Sequence, residues 1–138
     1  MGSPHMNDGG SYIKPVAGTL PAAAAAGTRY SAAIDRRRFF SAALAACTGA
    51  ASGAPDSFSA KYSLQESANG SSGWVDVEDS EVEITAANTL RRINLNLQAR
   101  LRYVRVKEVA AFVGGTGPAI QSSSQLILAG AEATPTAL

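Results

Sequence analysis

The sequence has few of the residues that cross-link a fold or catalyse a reaction. Among its 138 residues there is one cysteine, Cys47, and one histidine, His5. A structural zinc site built from cysteine and histidine needs four such ligands, so the chain cannot supply one. A lone cysteine also cannot form an intrachain disulfide. The fold must therefore be stable without covalent cross-links, which is usual for proteins assembled in the cytoplasm.

Charge and long apolar runs are scarce as well. Charged residues make up 17% of the chain, and the formal net charge is +1. A chain this close to neutral is not attracted to nucleic acid by its overall field. No apolar run approaches the roughly 18 residues that a membrane helix requires. We therefore expect no nucleic-acid partner and no membrane insertion.

Small side chains greatly outnumber large ones. Alanine, serine, glycine and threonine account for 63 of the 138 residues, and aromatic residues for 7%. Residues of this size fill a thin core, such as the layer between two β-sheets packed about 10 Å apart. A thin core gives marginal stability, so we expect contacts with a partner to add to it.

Alternating apolar and polar residues predict β-strands from Tyr30 onward. The clearest case is residues 58–65, in which every second side chain is apolar. Clusters of turn-forming residues separate the strands, and no strand–helix alternation appears. The sequence therefore predicts an all-β fold, an antiparallel β-sandwich of jelly-roll type with about eight strands. The predicted core residues are Phe58, Tyr62, Leu64, Ile84, Ile93, Leu95, Leu97, Leu126 and Leu128.

The segment 101–113 departs from simple alternation. Leu101 and Tyr103 share one face of an extended chain, whereas Val104 and Val106 share the other. The β-branched and aromatic residues of the segment favour a strand over a helix. We therefore predict a strand with a β-bulge, or one that passes from one sheet to the other.

The chain divides into parts of different composition. Residues 1–29 are predicted to form an extended N-terminal arm, residues 30–131 the sandwich domain, and residues 132–138 a C-terminal tail. Residues 1–6 resemble a cloning remnant or else a genuine upstream start. Residues 7–29 are interrupted by prolines, so we predict an irregular arm that either drapes over a partner or hangs free.

The predicted arm carries apolar side chains that its own segment cannot bury. They are Tyr12, Ile13, Val16 and Leu20. Apolar groups on such a segment are most readily buried against another subunit. We therefore predict that these residues bind a partner protein, and that the sandwich folds without residues 1–21.

Arg36, Arg37 and Arg38 form the most concentrated charge in the sequence. Three adjacent guanidinium groups are suited to bind phosphate or the carboxylates of a partner protein. The same residues would also fit a solvated strand end that pairs with the acidic residues of segment 76–83. We predict a partner-binding role and retain the solvated strand end as the alternative.

No set of side chains indicates catalysis or a cofactor. With His5 in the segment that resembles a cloning remnant, no histidine remains to activate a serine or Cys47. Residues 39–48 are a run of small apolar residues, which predicts a strand covered on both faces and a buried, unreactive Cys47. The acidic residues of segment 76–83 alternate with apolar ones and lack the spacing of a calcium loop. We therefore expect no enzyme activity, no metal site and no cofactor.

The order of these segments resembles that of small proteins encoded among the head genes of tailed bacteriophages. The resemblance is carried by residues 31–36 leading into the run 39–49, by the turn 53–56, and by residues 73–77 and 114–118. Within that group, about residues 12–131 resemble head decoration proteins, which are also called cement proteins.

This resemblance implies a β-sandwich on the outer capsid surface of the virion, assembled in the cytoplasm of the bacterial host. Its partner would be the major capsid protein, whose subunits it would tie together as a homodimer or a trimer. The resemblance implies no catalysis and no cofactor. Another structural role in a phage, in the neck or tail, is the nearest alternative.

A second resemblance points to a different class of protein. Trp74, followed later by Arg102-Tyr103-Val104-Arg105, is similar to discoidin-type, galactose-binding-like sandwiches. That resemblance implies a glycan-binding module in which Trp74 stacks on a sugar. A tryptophan at the edge of a thin core is the other explanation. The exposure of Trp74 distinguishes the two.

Overall fold

A computed structural model gives the fold of the chain and describes residues 10–131. Over these residues the chain forms eleven strands in two antiparallel sheets, and its helical content is limited to a single 3₁₀ turn at residues 10–12. The all-β class and the antiparallel sandwich predicted from the alternation are confirmed. The strands are β1 (Ile13–Ala17), β2 (Ala22–Ala25), β3 (Gly27–Tyr30), β4 (Ile34–Asp35), β5 (Phe39–Ser52), β6 (Ser57–Ser67), β7 (Val75–Asp76), β8 (Val82–Ile84), β9 (Leu90–Asn96), β10 (Tyr103–Val113) and β11 (Ala119–Ala131).

The eleven strands of the described chain fill eight positions in the two sheets. Sheet A has the order β1-β11-β5-β9, and β2 pairs with β11 beyond the end of β1. Sheet B has the order β3-β10-β6-β7, with β4 beside β3 along β10 and β8 beside β7 along β6. When each split edge strand is counted once, this is the strand order of a jelly roll. The count of about eight predicted from the sequence corresponds to these positions.

The segment predicted as an irregular arm is instead built into the sheets over residues 13–30. β1 and β2 form one edge of sheet A along β11, and β3 forms an edge of sheet B along β10. Pairing satisfies backbone N–H and C=O groups that a free segment would leave to water. Pro15 is tolerated because it lies in an edge strand. Two parts of the chain lie outside the described residues. They are residues 1–9, which include His5 and the possible cloning remnant, and the predicted tail 132–138.

The core lies between the two sheets, where the predicted inward side chains meet. Six of the predicted core residues are fully buried, namely Tyr62, Leu64, Ile84, Leu97, Leu126 and Leu128. Ile93 and Leu95 are partly buried and pack against the same cluster. Phe58 packs against a smaller cluster around Ile120, with its ring centre 6.2 Å from that of Phe112. The predicted strand register is therefore confirmed.

Strand β10 corrects the prediction of a bulge in segment 101–113. It pairs with β6 over its whole length without a register shift. Val104 and Val106 face the core, and Tyr103 lies on the other face, whereas Leu101 precedes the strand in an exposed position. The point at which the apolar residues change from one face of the chain to the other therefore coincides with the start of the strand. The irregularity in pairing lies elsewhere, between Ile120 and Ser122 of β11.

Strand β5 corrects the prediction of a strand covered on both faces. Leu44 and Ala46 face the core, but Cys47 is exposed on the opposite face. A two-layer sandwich covers only one face of each sheet, and alternation places residue 47 on the uncovered one. The prediction of a buried Cys47 is therefore wrong.

The part of the chain that the structure describes contains no helix with the length and hydrophobicity needed to span a membrane.

Candidate functional site

The two outer faces of the sandwich differ in chemistry. The outer face of sheet A, called the A face here, is nearly uncharged. Strand pairing places these side chains on it: Ile13, Pro15 and Ala17 of β1, Ser41, Ala43, Ala45 and Cys47 of β5, Leu90, Arg92, Asn94 and Asn96 of β9, and Ser123, Gln125, Ile127 and Ala129 of β11. Arg92 carries the single charge in this set. The outer face of sheet B, called the B face, carries charged side chains such as the ion pair of Asp76 and Lys107, and aromatic rings.

The A face contains a shallow apolar groove. Its volume is about 300 Å³, and its lining includes Leu20, Ala45, Cys47, Leu90 and Ser123. Leu20 is 65% exposed and Leu90 is 70% exposed. Large apolar side chains therefore stand beside a floor of small residues, which is a shape that a protruding partner side chain can fill.

The apolar residues predicted to bind a partner are divided between the surface and the core. Leu20 borders the groove, and Ile13 lies half-buried on the A face. Val16 lies on the opposite side of β1 and packs against the core. Tyr12 is half-buried in the 3₁₀ turn before β1. Ile13 and Leu20 are therefore the two that face a potential partner.

The arginine triplet forms the corner between β4 and β5. Arg36 is used within the fold, since its guanidinium donates to the backbone oxygens of Leu101, at 3.0 Å, and of Arg100. Arg38 has a φ of 75°, a left-handed conformation that is uncommon outside glycine. The side chains of Arg37 and Arg38 are exposed and make no hydrogen bond or ion pair among residues 10–131, although the charge of Arg37 is one of the weaker causes of the lowered pKa of Asp35. No ion pair joins the triplet to segment 76–83 in this described part of the chain.

A polar network crosses the interior between the sheets. Its centre is Glu108, which is 1% exposed and faces inward from β10. Arg29 donates from Nε to Oε2 and from Nη2 to Oε1 of Glu108, both at 2.9 Å. Thr19 Oγ1 donates to Oε1 at 2.7 Å, and Ser122 Oγ donates to the same oxygen at 3.0 Å. Ser122 also hydrogen-bonds the phenol of Tyr62, whose pKa is raised by burial. This network joins the N-terminal strands to both sheets.

The B face holds an arginine between two aromatic rings. The guanidinium carbon Cζ of Arg105 lies 4.0 Å from the centre of the Tyr30 ring and 4.4 Å from that of the Trp74 ring. Arg105 Nε donates to Gln65 Oε1 at 2.9 Å. Neither terminal nitrogen of Arg105 has a hydrogen-bond acceptor within residues 10–131. Trp74 is half-buried beside this arginine on the outer surface and is not part of the core.

The polar side chains next to this stack continue across the B face. Gln65 Nε2 donates to Asp76 Oδ1 at 2.9 Å, and Lys107 Nζ lies 3.4 Å from the same oxygen. The hydrogen bond from Gln65 and the charge of Lys107 lower the pKa of Asp76 below its ordinary value. Asp76 is therefore a stable carboxylate whose charge is balanced by Lys107.

The acidic segment 76–83 lies along the edge of the B face. Glu83 is exposed on β8 and accepts a hydrogen bond from Ser59 at 2.6 Å. Within the described residues, no three His, Cys, Asp or Glu side chains are grouped so that they could hold a metal ion.

Sequence reasoning missed the network and the aromatic stack, although a signal for each was present. Glu108 follows Val104 and Val106 at the same two-residue spacing, so a strand that buries the valines also buries the carboxylate. A buried carboxylate requires a cation or several donors. Arg105 has the opposite parity and must face outward. Its aromatic neighbours come from distant segments, and only strand pairing brings them together.

Comparison with known proteins identifies a fold and no family. No family model and no curated protein matches the chain. Among solved structures, the PBSX exported protein XepA matches with a TM-score of 0.60 and 16% sequence identity, over 91% of this chain and 39% of that one. The chain therefore spans well under half of the length of that structure. A subunit of the disulfide-linked pili known as Bacillus endospore appendages matches with a TM-score of 0.45 and 14% identity, over 86% of this chain and 88% of that one. Neither structure is described as a capsid cement protein, and the likeness to XepA shows a common fold.

Proposed function

We propose that this protein is a structural component of a phage particle, which decorates the outside of the head and binds the major capsid protein through the A face. The chemistry of the A face carries the proposal. The centres of protein interfaces are depleted in charged residues, and this face carries one charge, Arg92, across its four paired strand positions. The fold shared with XepA, a phage-derived protein, supports the same class of function. The proposal involves no catalytic step and no cofactor.

The exposed apolar and cationic groups fit a partner-binding role around this face. Leu20 and Leu90 stand beside the groove and would be desolvated by a partner. The guanidinium groups of Arg37 and Arg38 are exposed, make no hydrogen bond within residues 10–131, and are available for carboxylates on a capsid subunit. Such exposed pairs are individually weak, but a contact repeated around a shell gains strength through multivalency.

The test is binding to heads that were assembled without this protein. Purified protein is added, the heads are sedimented, and their occupancy is measured at several concentrations. Q125E places a charge at the centre of the A face with almost no change of shape, because Gln125 is exposed there between Ala17 and Ala45. An unpaired buried carboxylate should weaken attachment about tenfold or more. Q98E makes the same chemical change in an exposed loop and should leave attachment unchanged.

Cys47 provides a second measurement of the same contact. The free protein should react with a thiol reagent because Cys47 is exposed on the A face. On decorated heads the reaction should slow severalfold, since the partner covers the thiol. Full occupancy by Q125E, with Cys47 still reactive on the heads, would remove the A face from the attachment mechanism. Failure of the unmodified protein to bind any head would overturn the proposed function.

A homodimer is the other expectation that the same measurements test. If two copies pair through the A face, Cys47 should become protected as the concentration of free protein rises. Sedimentation velocity should then show a dimer that Q125E dissociates. A monomer at all concentrations would contradict the expected homodimer or trimer.

A further inference from the structure

We propose that Arg105, held between Tyr30 and Trp74, binds the carboxylate of an acidic sugar on the B face. This proposal does not depend on attachment through the A face, because the two faces are on opposite sides of the sandwich. It rests on the geometry of one guanidinium and on the groups around it.

The guanidinium of Arg105 is fixed in place before any ligand binds. Its Cζ lies over two rings, 4.0 Å from the centre of Tyr30 and 4.4 Å from that of Trp74. Its Nε is occupied by Gln65 Oε1 at 2.9 Å. An arginine held in this way loses little conformational freedom on binding, which leaves more of the interaction free energy for the ligand.

The remaining edge of the guanidinium matches a carboxylate. Nη1 and Nη2 of Arg105 present parallel N–H donors, and neither has an acceptor within residues 10–131. Two parallel N–H groups bind the two oxygens of a carboxylate in a bidentate pair, which is among the strongest hydrogen-bonding arrangements. The nearby carboxylate of Asp76 does not compete, because it is bound by Gln65 and Lys107. The site therefore has an unbalanced positive charge.

The surroundings of Arg105 favour a sugar over a protein as the carrier of that carboxylate. Tyr30 is 49% exposed, so part of its ring is free to contact the C–H groups of a pyranose. Lys107 and Asp76, which are paired with each other beside the stack, supply further polar groups for hydroxyls within the same patch. The apolar groups placed on this guanidinium are two flat rings, which suit the C–H face of a sugar better than the aliphatic side chain of a protein.

The experiment uses Trp74 as the reporter, because it is the single tryptophan of the chain. Its fluorescence is recorded while the full-length protein is titrated with glucuronate. Glucose serves as the neutral counterpart, which has CH₂OH in place of the carboxylate. We expect a saturable change with glucuronate and none with glucose.

Variants show whether the effect belongs to the stack. R105K keeps the charge but removes the bidentate edge, and should weaken glucuronate binding about tenfold or more. Y30A removes one of the covering rings and should also weaken binding. R91K is the matched control, since Arg91 is exposed on β9 of the other sheet, and its affinity should equal that of the unmodified protein. Circular dichroism verifies that each variant is folded.

Three results would overturn the proposal. The first is a Trp74 fluorescence that shows no saturable change even at the high glucuronate concentrations that would detect a weak sugar ligand. The second is an equal affinity of the unmodified protein and R105K. The third is binding of an acidic peptide through Arg105 without binding of glucuronate, which would assign the site to a protein partner.

Discussion

Arg29 and Glu108 form a bidentate ion pair inside the sandwich, with both N–O distances at 2.9 Å. Arg29 comes from the N-terminal edge strand β3 and Glu108 from the central strand β10 of the same sheet. The carboxylate is also bound by Thr19 and Ser122, which come from the opposite layer. The segment before residue 30 is therefore tied to the interior by charge as well as by strand pairing.

The first prediction concerns this ion pair. R29A leaves the buried carboxylate of Glu108 without its cation and should lower the free energy of unfolding by about 3–5 kcal/mol. Replacing both residues, as in R29A/E108A, should cost less than the sum of the two single changes, because no charge is then left buried. Urea unfolding followed by circular dichroism measures both values. R37A, at an exposed arginine whose side chain makes no hydrogen bond or ion pair in the described residues, should change stability by less than about 0.5 kcal/mol. An equal loss in R29A and R37A would contradict the role given to the Arg29–Glu108 pair.

The second prediction concerns the N-terminal strands. Deletion of residues 1–21 removes β1 and Thr19, exposes the edge of β11, and takes one donor from Glu108. The protein should lose more than about 2 kcal/mol of stability, since a hydrogen bond to a buried charge and the packing of Val16 both disappear. The exposed edge should also promote aggregation. Deletion of residues 1–9 is the control. Equal melting temperatures for the two truncated proteins would show that residues 10–21 are not needed for the fold, as the sequence analysis predicted.

The third prediction compares three leucines at different depths. L126A truncates a fully buried side chain and should cost about 2–5 kcal/mol. L95A truncates a partly buried one that packs against the same cluster, and should cost less. L90A removes a side chain that is 70% exposed and should lie within about 0.5 kcal/mol of the unmodified protein. Chemical unfolding gives the three values, and any other order would show that the strand register is incorrect.

The fourth prediction concerns the ion pair between Asp35 and Arg102. Arg102 Nη2 lies 2.9 Å from Asp35 Oδ2, and this hydrogen bond is the main cause of the lowered pKa of Asp35. Because the pKa is lower in the folded state, the contribution to stability is present above the ordinary value of 3.8 and is lost as the pH falls through the folded value. The contribution is small because the pair is exposed.

The measurement is the melting temperature of the unmodified protein and of D35N as a function of pH. The difference between the two should be constant near neutral pH and should shrink below about pH 4. High salt should also reduce the difference at neutral pH, since it screens exposed charges. A difference that grows in acid would show that the carboxylate is not stabilised by Arg102.

Sequence patterns were informative where the two faces of a strand differ in polarity. Residues 58–65 of β6 and the core leucines of β11 alternate strictly, so their inward faces could be assigned without a structure. The patterns misled where both faces carry small residues. In β5 alanine occupies inward and outward positions alike, and the sequence could not show that Cys47 lies on the uncovered side.

The sequence by itself determined the all-β class and most of the core, because two-residue periodicity and turn chemistry are local properties of the chain. The jelly-roll strand order predicted with them depends on which strands pair, and the tertiary structure decided it. The burial of Glu108 was encoded locally as well, because residue 108 lies on the same face of β10 as Val104 and Val106, although it was not predicted. Only the tertiary structure decided that residues 13–30 complete both sheets, since their weak pattern gains its meaning from pairing with β10 and β11. It likewise brought Tyr30, Trp74 and Arg105 together, because contacts between residues so far apart in the chain depend on strand order.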